Sequence, residues 1–376
     1  MKIVGILCEY NPLHLGHAKQ LRLIREQNGE DCAIVCLMSG DFVQRGQPAV
    51  FPKMARAKAA LESGADLVLE LPVNYALSSA EGFAAGAVSI LGTFCDEMSF
   101  GAEHPDPEGL MAVAGALLSP EFSGHLRRHL DAGLSFPAAR SRALANMGAD
   151  ENLVSSPNDI LAVEYCKAIL AQNSPMRPAP IRREGSYHDL TADSENPSAT
   201  SIRALIEAGK DFQSYVPFGF ENAPVHALKY GERAMVAKLR TMTDAEFEAL
   251  PYGSEGLWRK LMHESRRQNT LEDILTAVKS KRYTRTRLDR MVLCAFLGLT
   301  AADLASPAPY VRVLGFNEKG REALRAAKKQ LPLFNVGERV DSPFWAIEQR
   351  CTNLYGLFAE TMEPAGMEPK QRIITK

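Results

Sequence analysis

The segment Glu9-Tyr10-Asn11-Pro12-Leu13-His14-Leu15-Gly16-His17 sets two imidazoles and a glycine between a short apolar run, Ile3 to Cys8, and a stretch with helical spacing. A helix start there offers unpaired backbone N–H groups and a partial positive charge to a phosphate. Gly16 lets the backbone come close to such a ligand. His14 and His17 can donate hydrogen bonds to phosphate oxygens and stabilise the charge that builds up on a leaving pyrophosphate. Asn11-Pro12 predicts a turn that throws His14 outward. The same pair could belong to a core or to a metal site, but no third ligand stands nearby and no resident metal is expected.

Four further segments carry polar groups at places where ligands bind. Ser39 to Gly46 follows a second apolar run, and its Gln44 and Arg45 could meet a carboxylate or a nucleotide, or simply lie in water. Phe100-Gly101-Ala102-Glu103 ends another apolar run, with Gly101 allowing close approach. Ser156-Pro157-Asn158-Asp159 reads as a helix N-cap. Ile181-Arg182-Arg183 is followed by Ser198-Ala199-Thr200-Ser201-Ile202-Arg203, a Ser/Thr cluster at a helix start with an arginine one turn in, which suits phosphate.

The elements that position these segments alternate. Strands are expected at 3–8, 32–38, 66–71, 97–100 and 178–183, and helices at 17–27, 52–63, 79–91 and 201–208, with a mainly helical stretch from 107 to 171. Strands alternating with helices predict βαβ units and a parallel, Rossmann-like α/β sheet. Continuous apolar strands fit a sheet covered on both faces. In such sheets ligands bind beyond the carboxyl ends of the strands, where these segments fall. The stretch 174–197 is partly loop.

Composition shifts at 215–224, so one unit is expected over 1–215 and a mainly helical one over 216–376. The second carries a late βαβ piece at 310–336 and a polar, frayed tail after Glu363. With 376 residues, the chain is long enough for two domains with real cores. The formal net charge of −2 excludes a basic coat protein, so polyanion binding needs a local patch. Residues 225–300 supply one, with 14 Lys and Arg against 9 Asp and Glu. The run Lys279 to Arg290 includes Lys281, Arg282, Tyr283, Arg285 and Arg287, and reads as a basic helix with an aromatic, suited to RNA or else a solvated face. The seven scattered cysteines make no C-x-x-C pair, as expected of reduced thiols in a cytoplasmic protein. No run approaches a membrane span, and no membrane partner is expected.

The longer strings add a resemblance. G-I-L-C-E-Y-N-P-L-H-L-G-H, then M-S-G-D-F-V-Q-R-G-Q-P-A, then D-L-V-L-E-L-P, resemble the bacterial tRNA(Met) cytidine acetate ligase family, within the H-x-G-H nucleotidyltransferase superfamily. S-P-N-D-I-L and Y-V-R-V-L-G-F extend it over nearly the whole chain. The resemblance implies activation of acetate by ATP, accompanied by Mg²⁺, to acetyl-adenylate. Transfer to N4 of the wobble cytidine of elongator tRNA(Met) follows. It implies catalytic His14 and His17, with nucleotide contacts from Ile6, Leu7, Glu9, Asn11, Gly16, His17, Gly101, Asn158, Arg182, Arg183, Ser201 and Arg203. Gln44 and Arg45 are then expected at the substrate, and Lys281, Arg282, Arg285 and Arg287 at the tRNA. The resemblance implies that Glu often follows Q-R-G, where this chain has Gln47, which removes a charge beside the site. An adenylyltransferase acting on a small phosphate-bearing metabolite, or a non-catalytic RNA-binding protein, are the alternatives. Intact His14, Gly16, His17 and Arg203 argue against the second.

Overall fold

The computed structural model describes residues 1–183, 197–218, 220 and 222–376. Most of the stretch expected as loop at 174–197 lies outside the described residues.

An eight-stranded sheet runs through the molecule. Its strands are β1 (Lys2–Cys8), β2 (Cys32–Ser39), β3 (Leu67–Leu71), β4 (Glu97–Ala102), β5 (Arg177–Arg182), β6 (Val311–Phe316), β7 (Leu333–Asn335) and β8 (Ile374–Thr375). The order is β8-β6-β3-β2-β1-β4-β5, with β7 also paired to β6. β1 to β5 are mutually parallel, as expected. All eight residues of β2 are buried, as a central strand requires.

Because side chains alternate along a strand, the apolar runs feed two cores. Ile3, Ala33, Val35, Leu37, Leu67, Leu69 and Met98 face helices Ala80–Leu91, Pro107–Leu118 and Pro157–Ala171. Val4, Ile6, Cys32, Ile34, Cys36 and Val68 face helices Leu15–Asn28 and Lys53–Glu62. A third core joins Leu239, Phe247, Leu275, Leu293 and Phe358 of the helices beyond 227 to Phe42 and Leu77 of the first unit.

Two expectations change. The late βαβ piece is no appendage of a separate helical unit, because β6 pairs antiparallel with β3 inside the main sheet. Val313 points into one sheet core and Leu314 into the other, so this strand must be covered on both faces. The tail is not frayed. Residues Glu368–Lys370 form a 3₁₀ turn, Ile374–Thr375 add the edge strand β8, and Glu368 is fully buried. Glu368 accepts from Lys53 Nζ at 2.9 Å, a pairing across 315 residues that local composition does not reveal.

Candidate active site

The strand ends, the start of helix Leu15–Asn28 and the start of helix Ala199–Glu207 enclose a cleft of about 430 Å³. It is lined by Ile6, Leu7, Glu9, Asn11, His14, Gly16, His17, Gln44, Arg45, Gly101, Asn158, Arg182, Arg183 and Arg203, so segments spread over two hundred residues converge.

The histidines are held by hydrogen bonds at the helix start. His14 caps the helix, and its Nδ1 accepts the Gly16 N–H at 3.1 Å. His17 Nδ1 accepts the His14 N–H at 3.3 Å. The rings stack with centroids 3.7 Å apart. With both Nδ1 lone pairs engaged, each neutral ring carries its proton on Nε2, which serves as the hydrogen-bond donor. Neutrality follows from the surroundings. Burial, the neighbouring His17 and the Arg183 and Arg203 guanidiniums hold His14 well below the ordinary imidazole range. Burial and Arg183 lower His17 to about 3. His14 is not thrown outward as the Asn-Pro turn suggested. It is buried, and the cleft opens against it.

The arginines and Asn158 are braced by polar partners. Arg203 donates to the Asn11 carbonyl at 2.7 Å and to Thr200 Oγ1 at 3.1 Å. Arg183 donates to Asn158 Oδ1 at 2.9 Å, and Asn158 Nδ2 donates to Glu103 at 2.6 Å. Asn11 presents its backbone here, since its side-chain oxygen accepts the Val50 N–H at 2.7 Å. A side chain at Gly101 would project into space where only Arg183 Cβ comes near, at 3.9 Å.

Ser201 does not line the cleft. It is fully buried and bonded to Ser198, while Ser198 and Thr200 hold the lining positions. The helix starts at Ala199, two residues before the expected start, with Ser198 as its cap accepting the Ser201 N–H.

The loop after β2 folds into a hairpin, pairing Phe42 with Pro48 and Val43 with Gln47. Gly46 turns it with φ of 77°, and a Cβ there would lie 2.4 Å from the Arg290 backbone nitrogen. Gln44 N–H donates to Glu9 Oε1 at 2.6 Å. Arg290, expected on an exposed basic face, is buried instead and donates to the Gln44 carbonyl at 3.2 Å. Gln47 lines the cleft.

The residues that sequence reasoning missed are mostly braces and walls. Arg56 is fully buried and donates to the Glu9, Ser39, Gly40 and Phe51 carbonyls, clamping two strand ends. Phe83, Phe100, Leu161 and Tyr165 form an apolar wall, with the Phe100 and Tyr165 rings 5.2 Å apart. Asn158, Leu161 and Tyr165 fall on one helix face, a spacing that could have exposed the wall. Lys19 lies two residues beyond His17 and also lines the cleft.

The basic run differs from its expectation. Helix Arg285–Leu297 begins at the Thr284 cap, so Lys281 and Arg282 precede it. Arg282 pairs with Glu255 at 2.7 Å. Arg285 makes a two-pronged pair with Glu272 and also reaches Asp289. Arg287 donates to the Tyr252 carbonyl and lies over the Tyr283 ring.

Neutral imidazole donors at a helix start, arginines around a cleft and a parallel sheet behind them define a nucleotidyltransferase of the H-x-G-H kind. A family model described as HIGH Nucleotidyl Transferase matches residues 1–369. The chain is 36% identical to the tRNA(Met) cytidine acetate ligase of Clostridium acetobutylicum, over 97% of each chain. It is 36% identical to that of Anoxybacillus flavithermus, over 94% of each. It also matches the crystal structure of Thermotoga maritima TmcAL bound with alpha-thio ATP, with a TM-score of 0.86 and 31% identity, over 100% of this chain and 99% of that one. The chain belongs to the tRNA(Met) cytidine acetate ligase family of HIGH nucleotidyltransferases.

Proposed function

We propose that this chain activates acetate with ATP and acetylates N4 of the wobble cytidine of elongator tRNA(Met). Acetate attacks the α-phosphorus to give acetyl-adenylate and pyrophosphate, and the cytidine amine then takes the acetyl group and releases AMP. The observation that carries this reading is the pair of neutral Nε2–H donors of His14 and His17, facing a cleft that also holds Arg183 and Arg203. Displacement at phosphorus needs positioning and charge stabilisation rather than a covalent nucleophile. Mg²⁺ enters as part of the ATP substrate, held chiefly by phosphate oxygens and water. Seven free, buried cysteines agree with a cytoplasmic setting. Among the described residues no helix is long and apolar enough to cross a membrane.

Purified protein given elongator tRNA(Met), ATP and labelled acetate is expected to form N4-acetylcytidine without acetyl-coenzyme A. Modification that occurs only with acetyl-coenzyme A contradicts the reading.

The tRNA is assigned to the basic run around 281–287. Exposed ion pairs such as Arg282 with Glu255 are weak, so a phosphate can displace them. Arg285, held by two carboxylates, acts chiefly as a brace. Replacing Lys281, Arg282 and Arg287 together by Gln should flatten the slope of log affinity against log salt by about 2, at roughly 0.7 to 0.9 per lost phosphate contact. ATP affinity should stay the same. An unchanged slope would make the run a solvated surface.

A further inference from the structure

The transfer step needs a proton acceptor. The N4 lone pair of cytidine is delocalised into the ring, so the amine must lose a proton as its bond to the acetyl carbon forms. We propose that Glu9 takes this proton, an inference that rests on the function proposed above.

The cleft offers few alternatives. His14 and His17 each use Nδ1 to accept a backbone amide and carry hydrogen on Nε2, so neither has a lone pair to offer. Burial pushes the Tyr165 phenol far above its ordinary range, and it stays protonated. The Cys8 thiol is likewise raised and donates to the Leu37 carbonyl. Lys19 and the arginines are cations. Glu9 is the one acidic side chain among the described residues that line the cleft.

An acid beside two anionic substrates opposes their binding, so its place here calls for a role in the chemistry. Glu9 follows β1 and lies beside the hairpin, its Oε1 accepting the Gln44 N–H at 2.6 Å. Burial raises its carboxyl above the usual range. The Gln44 amide and the charges of Arg203, Arg45 and Arg56 pull it back. Tyr165 stands close enough to feel its charge. A carboxylate with a raised pKa is a better base than one in water.

The step balances. The N4–carbon bond forms and the carbon–oxygen bond to the adenylate phosphate breaks. AMP leaves with that electron pair, and the N4 proton passes to the Glu9 carboxylate and then to solvent.

Glu9→Gln tests the assignment, because the amide oxygen can still accept the Gln44 N–H and hold the hairpin. Two rates are compared: acetate-dependent exchange of pyrophosphate into ATP, and single-turnover transfer from supplied acetyl-adenylate to elongator tRNA(Met). A general base contributes about 10² to 10⁴ in rate. Transfer should therefore fall about 100-fold further than exchange. The wild-type transfer rate should rise with pH along one ionisation that the Gln variant lacks, and Glu9→Asp should recover part of the loss. Equal falls in both rates would make Glu9 a binding or positioning residue, and unimpaired transfer would remove it from the step; either overturns the proposal. Failure of the wild-type protein to exchange pyrophosphate in the presence of acetate would instead overturn the proposed function itself.

Discussion

His17→Ala is expected to lower acetyl-adenylate formation by about 10² to 10³, the loss of roughly 2.7 to 4 kcal/mol typical of removing one preorganised donor at a developing charge. The donor is preorganised because its ring is fixed from three sides. His14 N–H holds Nδ1, His14 stacks on one face, and Tyr10 meets the ring edge-on at 5.0 Å. Its low pKa keeps it a neutral donor across the working pH range. The fold should survive, since His17 lines the cleft rather than a hydrophobic core and the helix keeps its His14 cap. Acetate-dependent pyrophosphate exchange and far-ultraviolet circular dichroism, measured on the same preparation, check both halves. A folded variant that forms adenylate at the wild-type rate removes His17 from the mechanism.

Lys53→Met should destabilise the protein by about 3 to 5 kcal/mol, as breaking a buried ion pair does when the partner charge stays behind. Here three partners stay behind. Lys53 Nζ lies 3.1 Å from Glu70, 2.9 Å from Glu368 and 3.9 Å from Asp41, and all four groups are removed from bulk solvent. Thr352 Oγ1 lies 2.9 Å from Asp41 and 2.6 Å from Glu368, tying helix Pro343–Tyr355 to the same node. The cluster joins the C-terminal tail to the base of the hairpin that carries Gln44. The loss should depend on pH. Burial, partly offset by Lys53 and reinforced by Glu368 and Asp41, raises Glu70 from 4.5 to about 8. A carboxyl raised in the folded state contributes stability that is present below its unfolded value and lost as pH rises through the folded one. Without Lys53 the carboxylates repel more strongly, so the variant should suffer more at pH 8 than at pH 5.5. Urea unfolding at both values measures this, and equal losses would show that Glu70 does not take up the proton.

Much of the fold was legible because β1 and β2 are nearly continuous apolar runs, β3 and β4 are mainly apolar, and the helices between them carry caps and regular periods. β6 was legible as a strand but not as a neighbour of β3, because an antiparallel partner so distant in the chain, as in the pairing of Leu67 with Phe316, leaves no local pattern. The tail misled for a related reason. Glu368, Lys370 and Arg372 read as a solvated end, and only the distant Lys53 makes burial of Glu368 favourable. At the site, the convergence of His14, His17 and Arg203 on one cleft was legible from the strand-to-helix position of the first two and from the Ser/Thr–Arg helix start of the third. Their bracing was not. Arg56 reads as an ordinary helix residue, and its four carbonyl partners come from three separate stretches of chain. Arg290 was placed on the wrong surface because helical spacing gives faces but not which face meets the hairpin.

The central claim is that the cleft makes an acyl-adenylate from acetate and passes only the acyl group onward. Exchange of labelled pyrophosphate into ATP, measured without tRNA and with or without acetate, tests it most directly. The account predicts exchange that requires acetate, needs no tRNA and falls about 10² to 10³-fold with His17→Ala. Exchange that proceeds without acetate and instead requires a phosphate-bearing metabolite, leaving AMP joined to that metabolite, would contradict it.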